Sequence, residues 1–178
     1  MQKKSSKIKG FSLIELLFVL AIMGTLLALA LPSFSDTVEA ASTNSQIKVM
    51  LTTLNLARSE AIKRGQDVAV CATSDGVDCD AANWTAGWLV FVDNNGDATG
   101  GAGSIDPGDL VLRVFESIAS NTTAAMTVNM FAYDSLGFSS TGGTQQFTIT
   151  PNSGSVPNTR CIEIGPSGRG RRVEGADC

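Results

Sequence analysis

The residues with the most direct chemical capability form the string Gly168-Arg169-Gly170-Arg171-Arg172 near the C-terminus. Arginine forks bind phosphate oxygens bidentately, and glycine lets another backbone approach closely. Arg169, Arg171 and Arg172 with Gly168 and Gly170 therefore read as a flexible basic turn able to hold phosphates, with Arg160 as a candidate neighbour. About three or four phosphate contacts give weak, salt-sensitive and sequence-independent binding to nucleic acid. The competing reading is an ordinary basic turn that pairs with Glu174, Asp177 or a neighbouring subunit. A second string, Asp93-Asn94-Asn95-Gly96-Asp97, sets the oxygen ligands Asp93, Asn95 and Asp97 at alternate positions, as a calcium loop does, with Asp106 and Asp109 as further carboxylates. Ala98 stands where an EF-hand requires glycine, and no glutamate closes the loop, so a solvated acidic turn is the plainer reading and calcium a weak one. The chain has no histidine, the commonest general base and metal ligand, which argues against hydrolytic or zinc chemistry; no enzyme activity, metal or cofactor is expected. Trp84, Trp88, Phe91 and Phe138 have apolar neighbours and read as core rather than as a ligand platform.

A lone acid marks the other end. From residue 11 to residue 31 the only charged side chain is Glu15, and Lys3, Lys4, Lys7 and Lys9 precede the run. A carboxylate costs up to ~3 kcal/mol at the centre of a bilayer, so one in an apolar span usually has a partner. The lysines put the N-terminus on the cytoplasmic side by the positive-inside rule, and the remainder would then face the periplasm. Four cysteines fit that oxidising side. Two plainer readings of the start exist. One is a secretory signal cleaved at Ala28-Leu29-Ala30, which has no use for Glu15; the other is an uncleaved anchor, since about 20 apolar residues span a bilayer.

The elements follow from periodicity. Ile47, Met50 or Leu51, Leu54, Ala57 and Ala61 recur every three or four residues among Lys48, Arg58, Glu60, Lys63 and Arg64, the pattern of a helix packing one stripe on a domain. Glu60 and Arg64 stand one turn apart, and Gly65 is a plausible stop. Beyond it, the runs 67–73, 87–92, 110–116, 126–133, 145–150 and 160–164 are rich in β-branched or aromatic residues and read as strands separated by Gly, Asn, Asp and Pro. Their number suggests an antiparallel sandwich or paired sheets, with a long loop at 94–108. Four cysteines allow three pairings; the smaller loops favour Cys71–Cys79, around the turn pair Asp75-Gly76, and Cys161–Cys178. Four of the 13 basic residues and none of the 17 acidic ones lie in residues 1–10, so the rest of the chain carries a net charge of −8. Bulk charge alone makes no nucleic-acid binder of such a chain; any anion site must be a local basic patch.

The string Gly10-Phe11-Ser12-Leu13-Ile14-Glu15-Leu16 closely resembles the prepilin leader of type IV pilins and type II secretion pseudopilins. The resemblance implies cleavage after Gly10 by a prepilin peptidase/methyltransferase, methylation of the new Phe11 amine, and filament assembly through Glu15, which neutralises the amine of an adjacent subunit. Three further segments extend it: 54–65 followed by Val68-Ala69-Val70-Cys71, then Trp84 through Gly87-Trp88-Leu89-Val90-Phe91-Val92-Asp93, then Gly108-Asp109-Leu110-Val111-Leu112-Arg113. Their order resembles the GspH/FimT family of minor pilins and pseudopilins over nearly the whole chain. That family implies an α+β fold in which a long N-terminal helix, partly transmembrane, packs on an antiparallel β-sandwich-like globular domain. The corresponding organisation is a cleaved leader at 1–10, a transmembrane and filament-core helix at 11–35, and a periplasmic domain at 36–178. Residues 168–172 match the Gly-Arg-x-Arg element that FimT-type minor pilins associate with DNA binding in natural transformation; Arg169 and Arg171 carry over, and Arg172 is an added charge. The resemblance thus implies an inner-membrane protein that joins a pilus with major and minor pilin subunits and captures DNA. The alternatives are a GspH-like pseudopilin of a type II secretion system, and an assembly-priming subunit without a ligand.

Overall fold

The computed structural model of the chain describes residues 11–80, 83–98 and 104–178, with 28–33 described by backbone alone. Gly10, the expected cleavage residue, lies outside the described residues. Among the described residues, helix α1 (Leu13–Arg64) is followed by eight strands: β1 (Asp67–Ala72), β2 (Trp88–Asp93), β3 (Leu110–Phe115), β4 (Thr122–Met126), β5 (Met130–Tyr133), β6 (Gln145–Pro151), β7 (Arg160–Ile164) and β8 (Gly170–Glu174). Residues Met1–Val38 and Glu39–Cys178 form separate compact units.

In the first unit the backbone stays helical through Pro32, and the described side chains from Phe11 to Leu27 are all exposed. Among the described residues no helical stretch is long and apolar enough to cross a membrane; the described side chains of the apolar run stop at Leu27.

In the second unit the predicted stripe is the buried one: Ile47, Met50, Leu54, Ala57 and Ala61 are enclosed, and Leu51 sits at the margin. Spacing of three and four residues puts these side chains on one face, so a single stripe meets the sheets. The helix ends as its sequence requires. Gly65 adopts a positive φ of 66°, open to glycine without a Cβ penalty, and the N–H groups of Gly65 and Gln66 both donate to the Ala61 carbonyl, at 2.9 and 3.4 Å. Arg64 pairs with Glu60 at 2.7 Å.

The strands form two antiparallel four-stranded sheets, ordered β3-β2-β1-β5 and β4-β6-β7-β8. One core cluster combines the helix stripe with Val68, Val70, Trp88, Val90, Phe131 and Tyr133 of the first sheet and Phe147, Ile149, Ile162 and Ile164 of the second. A second cluster lies on the other face of the first sheet, where Ala69, Cys71, Leu89, Phe91 and Ala132 are covered by Ala98, Cys79 and Ile105 of the loops. Burial on both faces explains why β1 and β2 read as nearly unbroken apolar runs, whereas β6 alternates buried and half-buried positions.

Three expectations need correction. The run 126–133 is two strands in different sheets, because β4 ends at Met126 and β5 begins at Met130. At the break, the Thr127 N–H donates to the Gln146 carbonyl and its hydroxyl to Gln145 Oε1, which holds the chain on the second sheet before it crosses. Residues 170–172 belong to strand β8 rather than to a flexible turn; β8 pairs with β7 in register from Arg160↔Glu174 to Ile164↔Gly170. Phe138 is 49% exposed rather than core, while Trp84, Trp88 and Phe91 are buried. Both cysteine pairs join neighbours in sequence, Cys71–Cys79 and Cys161–Cys178.

Candidate functional site: the arginine edge

Strand β8 is an edge strand, and its alternation separates the arginines. Arg172 lies opposite Ile162 of the core, and its guanidinium reaches back to Asn44 Oδ1 on α1 and to Glu174 Oε1. Arg171 lies opposite Glu163 and donates to its Oε2 at 2.5 Å, on the other face of the sheet. Arg160, buried on β7, donates to the same Asn44 oxygen at 3.0 Å and to the carbonyls of Pro157 and Thr159, both at 2.7 Å. Asn44 therefore gathers two guanidinium groups from adjacent strands onto the helix. Arg169, in the turn before β8, is exposed and has neither a hydrogen bond nor an ion pair among the described residues.

The glycines of the string are explained by packing. Gly168 has φ +72°, and a Cβ there would fall 2.4 Å from the Gly137 carbonyl oxygen and 2.9 Å from Tyr133 Cε1. A Cβ at Gly170 would come within 3.0 Å of Ile162 Cγ2 and 3.4 Å of Leu51 Cδ2. The β7–β8 turn is further pinned by Arg58 of the helix, which donates to the Ser167 carbonyl at 3.2 Å, and by the Ser139 N–H, which donates to the Pro166 carbonyl at 3.0 Å. Arg58 Nε is buried without a partner among the described residues. Burial pushes the Tyr133 hydroxyl well above the usual tyrosine range despite the nearby Arg58.

The acidic string is a self-contained loop. Both Asp93 oxygens accept backbone N–H groups, from Gly96 at 2.7 Å and Ala98 at 2.9 Å among others. Asn95 Nδ2 donates to Asp97 at 3.1 Å and to Asp106 at 2.8 Å, and Asp109 accepts from the Asn94 and Asp106 N–H groups at 2.9 and 3.0 Å. Desolvation, with the Asp106 carboxyl beside it, raises the Asp97 pKa above the ordinary value. Among the described residues no three Asp, Glu, Cys or His side chains are arranged to hold a metal ion. In the other acidic turn, Asp75 accepts from the Val77 and Asp78 N–H groups at 2.8 and 3.1 Å, which lowers its pKa and shapes the loop closed by Cys71–Cys79.

At the helix start, the Ser12 carbonyl accepts from the Glu15 and Leu16 N–H groups at 3.1 and 3.2 Å. Glu15 stands in the first turn of α1, where a negative charge is favoured by the helix dipole.

Sequence reasoning missed Asn44, Glu163 and Arg58 as partners of this region. Asn44 and Arg58 sit more than a hundred residues from the groups they hold, and no local pattern records such a pairing. Period-two alternation could have found Glu163 once β8 was recognised as a strand.

A long N-terminal helix on antiparallel sheets, begun with an acid in its first turn, defines the class as pilin-like. The chain belongs to the family described as Type II transport protein GspH, whose model matches residues 46–168, and residues 5–31 match the prokaryotic N-terminal methylation motif. It is a minor type IV pilin or pseudopilin by family. The pilin-like protein PilA1 of Thermus thermophilus is 34% identical over 101 residues, which cover 57% of this chain and 55% of that protein, so the chain matches about half the length of this curated relative. Among solved structures, the type IV minor pilin FimU of Pseudomonas aeruginosa superposes with a TM-score of 0.54 at 21% identity, over 72% of this chain and 86% of that one. The minor pseudopilin EpsH of the Vibrio cholerae type 2 secretion system gives 0.50 at 14% identity, over 75% and 97%. At these identities the two structures speak for the fold alone.

Proposed function

We propose that this subunit is anchored in the inner membrane by its apolar helix, is cleaved before Phe11, joins a pilus, and there captures DNA through its arginine edge. The observation that carries the reading is Arg169, an exposed guanidinium without a partner among the described residues, two residues from Arg171 on an otherwise acidic chain. Arg171 keeps a side chain 72% exposed, and its bond to Glu163 is a surface pair. Such pairs contribute only ~0–1 kcal/mol, so a phosphate can replace the carboxylate at little cost. Arg172, held by Asn44 and Glu174, adds charge from the opposite face. No catalysis is assigned to the subunit, in keeping with the absence of histidine.

The full chain in neutral detergent should retard labelled DNA in a gel, and the binding should weaken steeply with salt. Replacing Arg169 and Arg171 by glutamine should abolish the shift; either single replacement removes about one phosphate contact and should flatten the salt dependence by roughly 0.9 log units per log unit of salt. Absence of any shift at low salt would sink the DNA reading. The second reading is a pseudopilin acting in protein secretion. It is favoured by the pairs Arg171–Glu163 and Arg172–Glu174, which already satisfy two of the three guanidinium groups within the fold.

A further inference from the structure

The turn that buttresses Gly168 carries an exposed aromatic ring. After β5, Asp134 Oδ1 accepts the N–H groups of Leu136 and Phe138, both at 2.9 Å, and the Asp134 N–H donates to the Phe138 carbonyl at 2.9 Å. Phe138 is thus held on a closed turn, yet half its surface meets solvent. Among the described residues from Glu39 onward it is the only exposed aromatic side chain. Gly137 and Gly168 touch, since a Cβ on the latter would fall 2.4 Å from the carbonyl oxygen of the former. Phe138 and Arg169 therefore leave the same backbone crossing, one residue beyond it on each chain segment. Arg58, which holds Ser167 of the same crossing, adds a second guanidinium without an acidic partner among the described residues. The Asp134 carboxylate is the opposing charge in the turn, and its Oδ1 is occupied by the two N–H groups that fix Phe138.

An exposed ring and a guanidinium without a partner among the described residues, rising from one backbone crossing, supply the two groups needed to stack an unpaired base and grip the adjoining phosphate. A duplex keeps its bases stacked inside and offers such a ring nothing to bind. We infer that the arginine edge takes single-stranded DNA, with one base stacked on Phe138 and the flanking phosphate on Arg169. This inference rests on the DNA reading above and names the form of DNA that the site accepts.

Fluorescence anisotropy separates the two. The full chain in neutral detergent is titrated into a labelled oligothymidylate about 20 nucleotides long, an abasic strand of equal length, and a duplex of equal length. The oligothymidylate should bind more tightly than either of the others. Phe138→Ala should weaken it by roughly fivefold to a hundredfold, as the loss of one stacked base does, and leave duplex and abasic binding unchanged. Phe138→Trp should retain the preference. Because the ring is half exposed, the melting temperature of Phe138→Ala should match that of the parent, so a folding defect is recognised separately. Equal affinity of Phe138→Ala and parent for the oligothymidylate, with duplex binding intact, overturns the stacking site alone. A uniform loss across the three probes also overturns it, and places Phe138 in the framework. Failure of the parent to bind any probe removes the DNA reading and the stacking site together.

Discussion

Asp67 shows how crowded acids are tolerated at the start of the sheet. It opens β1, and its pKa is raised above the ordinary carboxylate value, first by partial burial and then by the charges of Asp93 and Asp134. A carboxyl whose folded pKa lies above its unfolded one binds protons more readily in the native state, so stability falls as pH rises through that range. The penalty is absent when both states are protonated and complete once the folded carboxyl has ionised. Asp67→Asn keeps an acceptor for the Ser135 N–H and removes the charge. Thermal unfolding should show a higher melting temperature for the variant at neutral pH, with the difference vanishing near pH ~3. A difference that persists unchanged in acid would refute the electrostatic account.

At the scale of elements, the helix is locked to the first sheet by one buried polar contact within an apolar face. Thr53 donates to the Val49 carbonyl at 3.0 Å and accepts from Trp88 Nε1 at 3.1 Å. The Trp88 ring itself stacks on Phe115 and meets Phe147 edge-on, so it touches both sheets. Thr53→Val preserves shape but leaves the indole N–H buried and unmade, which costs about 1–3 kcal/mol. Thr53→Ser keeps the acceptor and should cost less. Denaturant titration followed by tryptophan fluorescence distinguishes the two, and equal midpoints for the variants would show that packing rather than the hydrogen bond matters there. Strand β8 illustrates a different rule. Its glycine and three charged residues promise no strand, yet the β7 backbone supplies partners along its full length and Val173 is buried opposite Cys161.

For the whole molecule, the methylation motif and the GspH match fall on separate stretches, residues 5–31 and 46–168. Glu15 is proposed to neutralise the Phe11 amine of an adjacent subunit inside lipid, where an unpaired charge is costly. Glu15→Gln should leave cleavage intact, so that N-terminal sequencing still begins at Phe11, while the subunit disappears from sheared filaments on immunoblot. Incorporation at the parental level would remove Glu15 from the assembly step. The arginine edge belongs to the other compact unit, which holds the sheets, both disulfides and the core.

The sequence by itself determined the elements that announce themselves over short range. The stripe from Ile47 to Ala61, the stop at Gly65, the apolar strands β1 and β2 and the family motifs are periodic or local, and each appears where its spacing predicts. The local cysteine pairs were legible because neighbours close the smaller loops. Only the tertiary structure decided which arginines are free. Arg171 and Arg172 differ by one position, but pleating sends them to opposite faces, where Glu163 meets one and Asn44 with Glu174 the other. It also decided that Phe138 is exposed, and that its neighbour Gly137 meets Gly168 from a distant part of the chain. Contacts between distant segments carry no periodic signal, so the charge and stacking groups of the candidate site emerge only when the strands are paired.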